Sequence, residues 1–213
     1  MIVCVKYENL DQYGKAFHSQ FCLRHQCFIE RQNYNVSKYN GMEFDQYDTP
    51  AAVYLVYLSP EKEALGCSRL TPVDRGSMLA DLWPGLVDHP EEAFTPGAWE
   101  GTRFCIAKSL PMDVRQRICR ELVIGYFEAG LDIGIKNIIG VMPPLILRTV
   151  FGGAGCQYDL LGKRMRIPSG EMIAAATMQI TSDALHNVRK ATGIFESVIS
   201  EEKIEEYHNR KIA

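Results

Sequence analysis

The segment Trp99-Glu100-Gly101-Thr102-Arg103-Phe104-Cys105-Ile106 lies near the centre of the chain and decides how the rest is interpreted. Its aromatic and β-branched residues predict a strand, which we place over residues 99–107. This strand carries a carboxylate at Glu100 and a guanidinium at Arg103, and a charge at the edge of a core is costly unless it is paired. Because Glu100 and Arg103 have opposite parity along a regular strand, they need not touch each other directly.

The segments on either side predict a mixed sheet that helices cover on both faces, in the α/β or α+β class. Phe17, Phe21 and Phe28 fall on one face of a helix. Asp113 has the side chain of an N-cap and is expected to open the longest helix. The predicted strands are 1–7, 51–60, 63–73, 99–107, 137–144 and 171–180, and the other predicted helices are 11–31, 78–82 and 144–155. We expect a single domain over residues 1–213, whose charged tail from about residue 200 is helical or frayed.

The composition is that of an ordinary globular protein, with 46% hydrophobic and 23% charged residues among 213 and a formal net charge of -3. This balance gives no reason to expect a nucleic-acid partner or an anionic membrane surface. The chain has no apolar run near the ~20 residues that span a bilayer, and its N-terminus lacks the pattern of a signal peptide. We therefore expect a cytoplasmic enzyme or binding domain without a membrane partner.

The cysteines predict free thiols in a reducing compartment. Their number is odd, and they form neither a Cys-x-x-Cys pair nor a Cys/His array. We therefore expect no disulfide framework and no metal site. The seven residues are Cys4, Cys22, Cys27, Cys67, Cys105, Cys119 and Cys156.

Several charged residues stand in otherwise apolar surroundings. Each of them alone has an ordinary structural explanation, such as a solvated helix position, a turn or an ion pair. If their elements share one edge of the sheet, three acids and three arginines can neutralise one another in a cleft and bind a charged ligand there. The set is Arg24, Asp45, Asp48, Arg69, Glu100 and Arg103.

The motifs RHQCFIERQNY, MEFDQYDTPAAVYLV, GCSRLTP, DLWP and WEGTRF resemble, in order and near spacing, those of the acyl-homoserine-lactone synthases, the LuxI-type autoinducer synthases of bacterial quorum sensing. The resemblance covers roughly residues 1–165. The family usually has a tryptophan where this chain has Tyr34, and a serine is common at Thr102. The matching positions are Arg24, Phe28, Asp45, Asp48, Arg69, Glu100 and Arg103.

The resemblance implies a GNAT-like fold, similar to the GCN5-related N-acetyltransferases, in which a twisted mixed sheet splays into a V. It implies two substrates, S-adenosylmethionine and an acyl thioester carried by acyl carrier protein or coenzyme A, and no permanently bound cofactor. The methionine amine attacks the thioester carbonyl to form an amide. The methionine carboxylate then displaces the sulfonium group, which closes the lactone and releases methylthioadenosine.

The chemistry of these substrates suits the matching residues. Arginines bind a carboxylate through forked hydrogen bonds, while aspartates and aromatic rings attract an ammonium or sulfonium. We expect Glu100 to be the general base for the amine, directly or through one water. The expected catalytic residues are Glu100, Arg103, Asp45 and Arg69. The expected substrate-binding residues are Arg24, Phe28, Tyr34, Asp48, Thr102, Phe104 and Met142.

The acyl side is less specific. The split is expected to be lined by strand residues near 104–107 and 138–142 and by the helix after Pro144, and ordinary core packing explains these residues equally well. The candidates beyond those above are Leu145, Ile146 and Val150. Basic residues that could meet an acyl carrier protein or a coenzyme A phosphate are Arg148, Lys163, Arg164 and Arg166.

Two other functions compete with the synthase. A general N-acetyltransferase is expected to have a glycine-rich turn that cradles phosphate at a helix start, and the segment AKSLPMDVRQR before and after Asp113 has no glycine. A non-catalytic small-molecule sensor of the same fold would not need a proton acceptor beside an amine pocket. A lactone product with methylthioadenosine supports the synthase, whereas ligand-induced stabilisation without turnover supports the sensor.

Overall fold

The computed structural model describes residues 1–200 and is built on one mixed sheet with a small separate hairpin. The strand order in the main sheet is β1-β4-β5-β6-β7-β10-β8, β9 pairs with β10, and β2 with β3 forms the hairpin. The strands are β1 Ile2–Val5, β2 Lys38–Tyr39, β3 Met42–Glu43, β4 Val53–Leu58, β5 Ala64–Pro72, β6 Ala98–Ile106, β7 Asn137–Met142, β8 Asp159–Leu160, β9 Met165–Arg166 and β10 Met172–Gln179.

Helices cover both faces of this sheet, so the mixed α/β architecture expected from the sequence is confirmed. The α-helices are α1 Leu10–Arg24, α2 Met78–Leu82, α3 Pro90–Ala93, α4 Met112–Ile133, α5 Pro144–Ile146 and α6 Ser182–Thr192. Two of them continue as π-helix, α1 into His25–Arg31 and α5 into Leu147–Phe151. Short 3-10 turns occupy Tyr7–Asn9, Val73–Arg75, Pro84–Leu86 and Gly152–Ala154.

The alternation of side chains along β4 shows how the two faces are built. Val53 and Leu55 pack with α4, while Tyr54 and Val56 pack with α1. We call the side that carries α1, the π-helix His25–Arg31, β3 and α2 the α1 face. The opposite side, with α4, α6 and the π-helix Leu147–Phe151, is the α4 face. Both faces are apolar, so β4 is buried on both sides.

The sheet opens between β6 and β7. These strands are parallel, whereas the other ladders of the described sheet are antiparallel. Their pairing runs from Ala98↔Asn137 to Glu100↔Ile139 and then stops, although β6 continues to Ile106 and β7 to Met142. Beyond this point the two strands are not paired with each other, and the region between them is here called the split.

A β-bulge in β6 lies at the start of the split. Cys67 pairs with Cys105 and Arg69 with Thr102, so β6 has one residue more than β5 between these pairs. Arg103 adopts a left-handed backbone conformation with φ of 55°. Thr102 and Arg103 therefore both face the α1 side, together with Glu100. Glu100 and Arg103 have opposite parity in the sequence but lie on the same face, because the bulge resets the alternation.

Three further differences from the sequence prediction have local causes. The long helix begins at Met112 after Pro111, which acts as the N-cap without a side-chain hydrogen bond, so the role expected for Asp113 is wrong. The predicted helix over 11–31 is confirmed, but its last third is π-helical. The sequence prediction missed α6, although the Thr181 side chain caps it by accepting from Ala184 N, and Gly193 ends it in a left-handed conformation.

The end of the described chain returns to the first strand. Ile199 bridges Ile2 in parallel, and Glu128 of α4 accepts hydrogen bonds from the backbone N–H groups of Val198 and Ile199. The charged tail expected from about residue 200 lies almost entirely outside the described residues. Within residues 1–200, none of the helices has both the length and the apolar composition needed to cross a bilayer.

Gly155 offers a test of how α6 packs. It has φ of 87°, and a Cβ there would lie 2.6 Å from Cβ of Ala191. We expect Gly155→Ala to lower the free energy of unfolding by about 2–4 kcal/mol, the sum of left-handed strain and a steric clash. Urea unfolding at neutral pH would measure this. The matched control is Gly170→Ala, which has φ of 88° and open space at the Cβ position; equal losses in the two variants would contradict the predicted clash.

Candidate active site

Three arginines and three acids converge on the α1 face. Arg24 donates from Nε to Glu43 at 2.6 Å and, through both terminal nitrogens, to Asp48 at 2.8 Å. Arg69 donates to the Asp45 carboxylate at 2.6 and 3.1 Å. These forked contacts are the strongest kind of side-chain hydrogen bond, so each buried charge is compensated.

The third arginine closes the network. Arg103 donates to Oε1 of Glu43 at 2.9 Å and to Oδ2 of Asp45 at 2.6 Å. Arg69 also lies 2.8 Å from Asp48. Glu43 and Asp45 thus bind two arginines each, and the six residues form one connected cluster with a formal charge of zero, here called the charge cluster: Arg24, Glu43, Asp45, Asp48, Arg69 and Arg103.

Burial divides the charge cluster into an inner part and an outer edge. The side chains of Arg24, Glu43 and Arg69 are fully buried. The side chains of Arg103 and Asp45 are 13% and 10% exposed. A ligand that arrives from solvent therefore meets Arg103 and Asp45 first, and the inner residues hold these two in place.

The Asp48 carboxylate is held in its ionised form. Burial alone would raise the pKa of Asp48, but hydrogen bonding and charge attraction from Arg24 outweigh burial and hold this pKa well below its usual range. The hydroxyl of Tyr54 and the backbone N–H of Asp45 also donate to Asp48. Asp48 is thus a fixed anion that orients its neighbours.

Glu100 lies beside the charge cluster but outside its ion pairs. Its side chain is buried, and Oε1 accepts a hydrogen bond from Leu79 N at 2.9 Å, at the start of α2. Oε2 is buried without a hydrogen-bond partner among the described residues. Burial raises the pKa of Glu100, and the Ser77 hydroxyl and nearby backbone N–H groups oppose this only in part. Of the acids at this site, Glu100 therefore has the carboxylate best suited to accept a proton.

Aromatic rings surround the outer edge. The guanidinium of Arg103 lies over the Phe28 ring at 5.5 Å, and the rings of Phe28 and Tyr34 stack with centroids 6.2 Å apart. Arg69 lies over Tyr47 at 5.7 Å. The Tyr34 hydroxyl donates to Glu171 at 3.3 Å. The two rings expected to contact a cation, Phe28 and Tyr34, are thus together at the solvent-facing edge.

The remaining predicted residues fall into two groups. The Thr102 hydroxyl accepts from Nε of Arg69 at 3.0 Å, so Thr102 belongs with the charge cluster. Phe104 and Met142 instead pack on the α4 face, on the far side of the split. The site therefore has a polar half on the α1 face and an apolar half on the α4 face.

The sequence model of a protein family, described as autoinducer synthase, matches residues 9–190 of this chain. The chain belongs to the autoinducer synthase family. This confirms the resemblance drawn from the motifs, and the match includes every residue expected at the site.

Relatives with known names support the same family. An acyl-homoserine-lactone synthase from Rhizobium etli is 32% identical over 143 residues, which is 66% of this chain and 68% of the relative. An isovaleryl-homoserine lactone synthase from Bradyrhizobium diazoefficiens is 28% identical over 192 residues, which is 88% of this chain and 84% of the relative.

The fold of this autoinducer synthase family member also matches a solved structure. A CoA-dependent acyl-homoserine lactone synthase, BjaI, solved with S-adenosylmethionine and isopentyl-CoA, superposes with a TM-score of 0.82 at 24% identity. The superposition covers 100% of this chain and 99% of BjaI. The GNAT-like mixed sheet expected from the sequence is therefore confirmed.

The sequence analysis missed Glu43, which takes the place expected for Glu100 in the charge cluster. A signal was available, because Glu43 and Asp45 are two residues apart in an extended segment and such residues share a face. The exposed residues His89, Glu91 and Glu92 are close enough to share a cation, but they do not touch the charge cluster. A surface cleft of about 330 Å³ between β1, α1 and the β4–β5 turn contains none of the predicted site residues.

Replacement by the neutral glutamine should affect the free energy of unfolding differently at Glu43, which forms ion pairs, and at Glu100, which lies outside the ion pairs of the charge cluster. Glu43→Gln leaves Arg24 and Arg103 without part of their compensation, and we expect a loss of about 3–5 kcal/mol of unfolding free energy at pH 7. Glu100→Gln should change it by less than about 1 kcal/mol or increase it. The pKa of Glu100 is raised in the folded protein, so ionisation of this carboxylate destabilises the folded protein as pH rises through that pKa. The neutral glutamine does not have this cost.

Urea unfolding at pH 5 and pH 7 would measure both effects, with the exposed Glu61→Gln as the matched control. The stability of Glu100→Gln relative to the unmodified protein should rise from pH 5 to pH 7. If Glu100→Gln is as damaging as Glu43→Gln, then Glu100 is a structural member of the ion-pair network.

Proposed function

We propose that this protein is an acyl-homoserine-lactone synthase that transfers an acyl group from an acyl thioester to the amine of S-adenosylmethionine, closes the lactone and releases methylthioadenosine. The observation that carries this proposal is the position of Glu100. Its buried carboxylate, whose Oε2 has no hydrogen-bond partner among the described residues, lies beside the charge cluster at the last pair between β6 and β7. One face thus suits a charged amino acid and the other an acyl chain.

S-adenosylmethionine binds at the outer edge of the charge cluster. Arg103 has a planar fork that matches the methionine carboxylate, and Asp45 attracts the ammonium group. When the ligand binds, Arg103 exchanges part of its contact with Asp45 for the substrate carboxylate. The ammonium group gains Asp45 as its partner in return, and the remaining sulfonium charge faces the aromatic rings, so binding leaves no buried ion without a partner. The fully buried Arg24 acts as a positioning residue that holds Glu43 and Asp48.

The sulfonium group lies against Phe28 and Tyr34. Aromatic faces attract a cation by ~0.5–2 kcal/mol, depending on desolvation. Tyr34 has a smaller ring than the tryptophan that is usual in the family, and the hydrogen bond to Glu171 limits how far it turns. Thr102 contributes indirectly, because its hydroxyl fixes the orientation of Arg69.

Glu100 is the general base for amide formation. The ammonium group loses a proton to Oε2, directly or through one water, and the free amine attacks the thioester carbonyl. The carbon–sulfur bond of the thioester then breaks, and the donor leaves as its free thiol with a second proton from the attacking nitrogen. A pKa raised by burial brings the carboxylate closer to the pKa of the amine, and general-base catalysis supplies roughly 10²–10⁴ in rate. Backbone N–H groups of β6 beyond Glu100, which β7 no longer pairs, are available to the carbonyl oxygen as charge develops on it.

The second step needs no further acid or base. An oxygen of the methionine carboxylate attacks the γ-carbon, the carbon–sulfur bond breaks, and its electron pair leaves with methylthioadenosine. The carboxylate attacks well only when it has lost part of its hydration. Arg103 lies at the outer edge of a buried cluster, so it can orient the carboxylate at a position that is largely shielded from water.

The donor is a thioester of acyl carrier protein or coenzyme A, and we propose a cytoplasmic location where both are made. The seven free cysteines fit a reducing compartment. The match over residues 9–190 supports a single synthase domain. The formal net charge of -3 gives no reason to propose a nucleic-acid partner. The alternatives of a general N-acetyltransferase and a non-catalytic sensor are not favoured by the family match.

Replacement of Glu100 tests the proposed base. Glu100→Gln should lower kcat for methylthioadenosine release by about 10²–10⁴-fold while the far-ultraviolet circular dichroism stays unchanged. In the unmodified protein, kcat/KM should rise with pH as Glu100 loses its proton. The residual kcat/KM of the variant should not show this rise. Glu61→Gln is the control. Near-normal turnover of Glu100→Gln would remove Glu100 from this role.

Replacement of Arg103 tests the carboxylate site. Arg103→Lys keeps the charge but loses the fork, so we expect KM for S-adenosylmethionine to rise about tenfold or more, with little change in KM for the acyl donor. Mass spectrometry of the product and initial rates with acyl-CoA and acyl carrier protein donors would measure this. If only the KM for the acyl donor changes, Arg103 binds the other substrate.

A further inference from the structure

The α4-face end of the split is closed by three aromatic side chains that come from separate elements. Phe104 lies on β6 just after the bulge, Tyr126 on α4, and Phe151 at the end of the π-helix Leu147–Phe151. Their ring centroids are 5.8–6.1 Å apart in all three pairs. We call this set the aromatic floor.

The aromatic floor is rigid. Tyr126 and Phe151 are buried, and the Tyr126 hydroxyl lies 2.5 Å from the Ser68 hydroxyl, which donates to Thr102 O at 3.0 Å. Moving Tyr126 from this position would break a buried hydrogen bond and leave its hydroxyl without the Ser68 partner. Phe104 is half-buried and forms the part of the floor nearest to the opening.

Two glycines show how closely the strands pack against the floor and against each other. A Cβ on Gly101 would lie 2.9 Å from the Tyr126 hydroxyl, so the floor reaches the backbone of β6 at the inner end of the split. A Cβ on Gly140 would lie 3.1 Å from Gly101 O and 3.5 Å from Cε of Met142. The backbones approach closely here, and Met142 fills the space on the β7 side.

We propose that the aromatic floor limits the acyl group of the donor to a short chain, and that Phe104 and Phe151 are the residues that determine this specificity. The inference rests on the proposed function, which places the thioester in the split. A short chain fits above the rings. A long unbranched chain has to displace buried rings that pack against one another and are anchored through Ser68.

The first test compares donors with the unmodified protein. Butanoyl, isovaleryl, hexanoyl, octanoyl and decanoyl thioesters of coenzyme A and of acyl carrier protein are supplied in turn, and methylthioadenosine release gives kcat/KM for each. Since one methylene in an apolar pocket changes kcat/KM by about 10–200-fold, we expect the four- to six-carbon donors to exceed decanoyl by at least about tenfold.

The second test changes the floor. Phe151→Ala should move the preferred donor to a longer chain and raise kcat/KM for decanoyl relative to butanoyl at least about tenfold. The milder Phe104→Leu should shift the preference in the same direction if Phe151→Ala does not fold. The matched control is Phe127→Ala, which removes an equally buried ring of α4 outside the floor and should leave the donor preference unchanged.

The outcomes separate the inference from the proposed function. A preference for decanoyl in the unmodified protein, or a donor preference that neither floor variant changes, would overturn the inference while turnover itself upholds the synthase. Absence of methylthioadenosine release with every donor would overturn the proposed function, and the inference with it.

Discussion

The mutual neutralisation of three arginines and three carboxylates is the constraint on which the polar half of the site depends. Full burial of Arg24, Glu43 and Arg69 is tolerable only because each has oppositely charged partners within hydrogen-bond distance. These partners come from α1, β3, the loop before β4, β5 and β6, so the cluster exists only when all of these elements are assembled. Folding thus preorganises a polar environment before any substrate arrives, which is the condition for electrostatic catalysis.

The bulge at Arg103 joins this cluster to the apolar half of the site. One extra residue in β6 turns Thr102 and Arg103 to the same face and sends Phe104 to the other. The strand therefore presents ions on one side of the split and an aromatic ring on the other. A positive φ at a residue other than glycine is strained, and Arg103 is held there by its bonds to Glu43 and Asp45. The same interactions that neutralise the charge also hold the backbone geometry.

Local patterns identified most of the architecture and the chemical nature of the site. The hairpin of β4 and β5, the short α2 and the strand β6 follow from alternation, turn residues and β-rich runs, because these signals act over a few residues. The charges Arg24, Asp45, Asp48, Arg69 and Arg103 stood out because they interrupt apolar segments. Asp113 misled because the N-cap of α4 is Pro111, two residues earlier, and α6 was overlooked although Thr181 and Gly193 mark its ends.

The sequence by itself determined which residues carry charge in apolar surroundings, which elements they lie on, and the family to which the motifs belong. Only the tertiary structure decided which acid belongs to which arginine: Glu43 joined the cluster, and Glu100 remained outside it, buried and without an ion pair among residues 1–200. The reason is that ion pairs between residues 19 to 60 positions apart depend on strand register and on a single bulge. Neither feature has a periodic signal along the chain, so the partners become evident only in the folded structure.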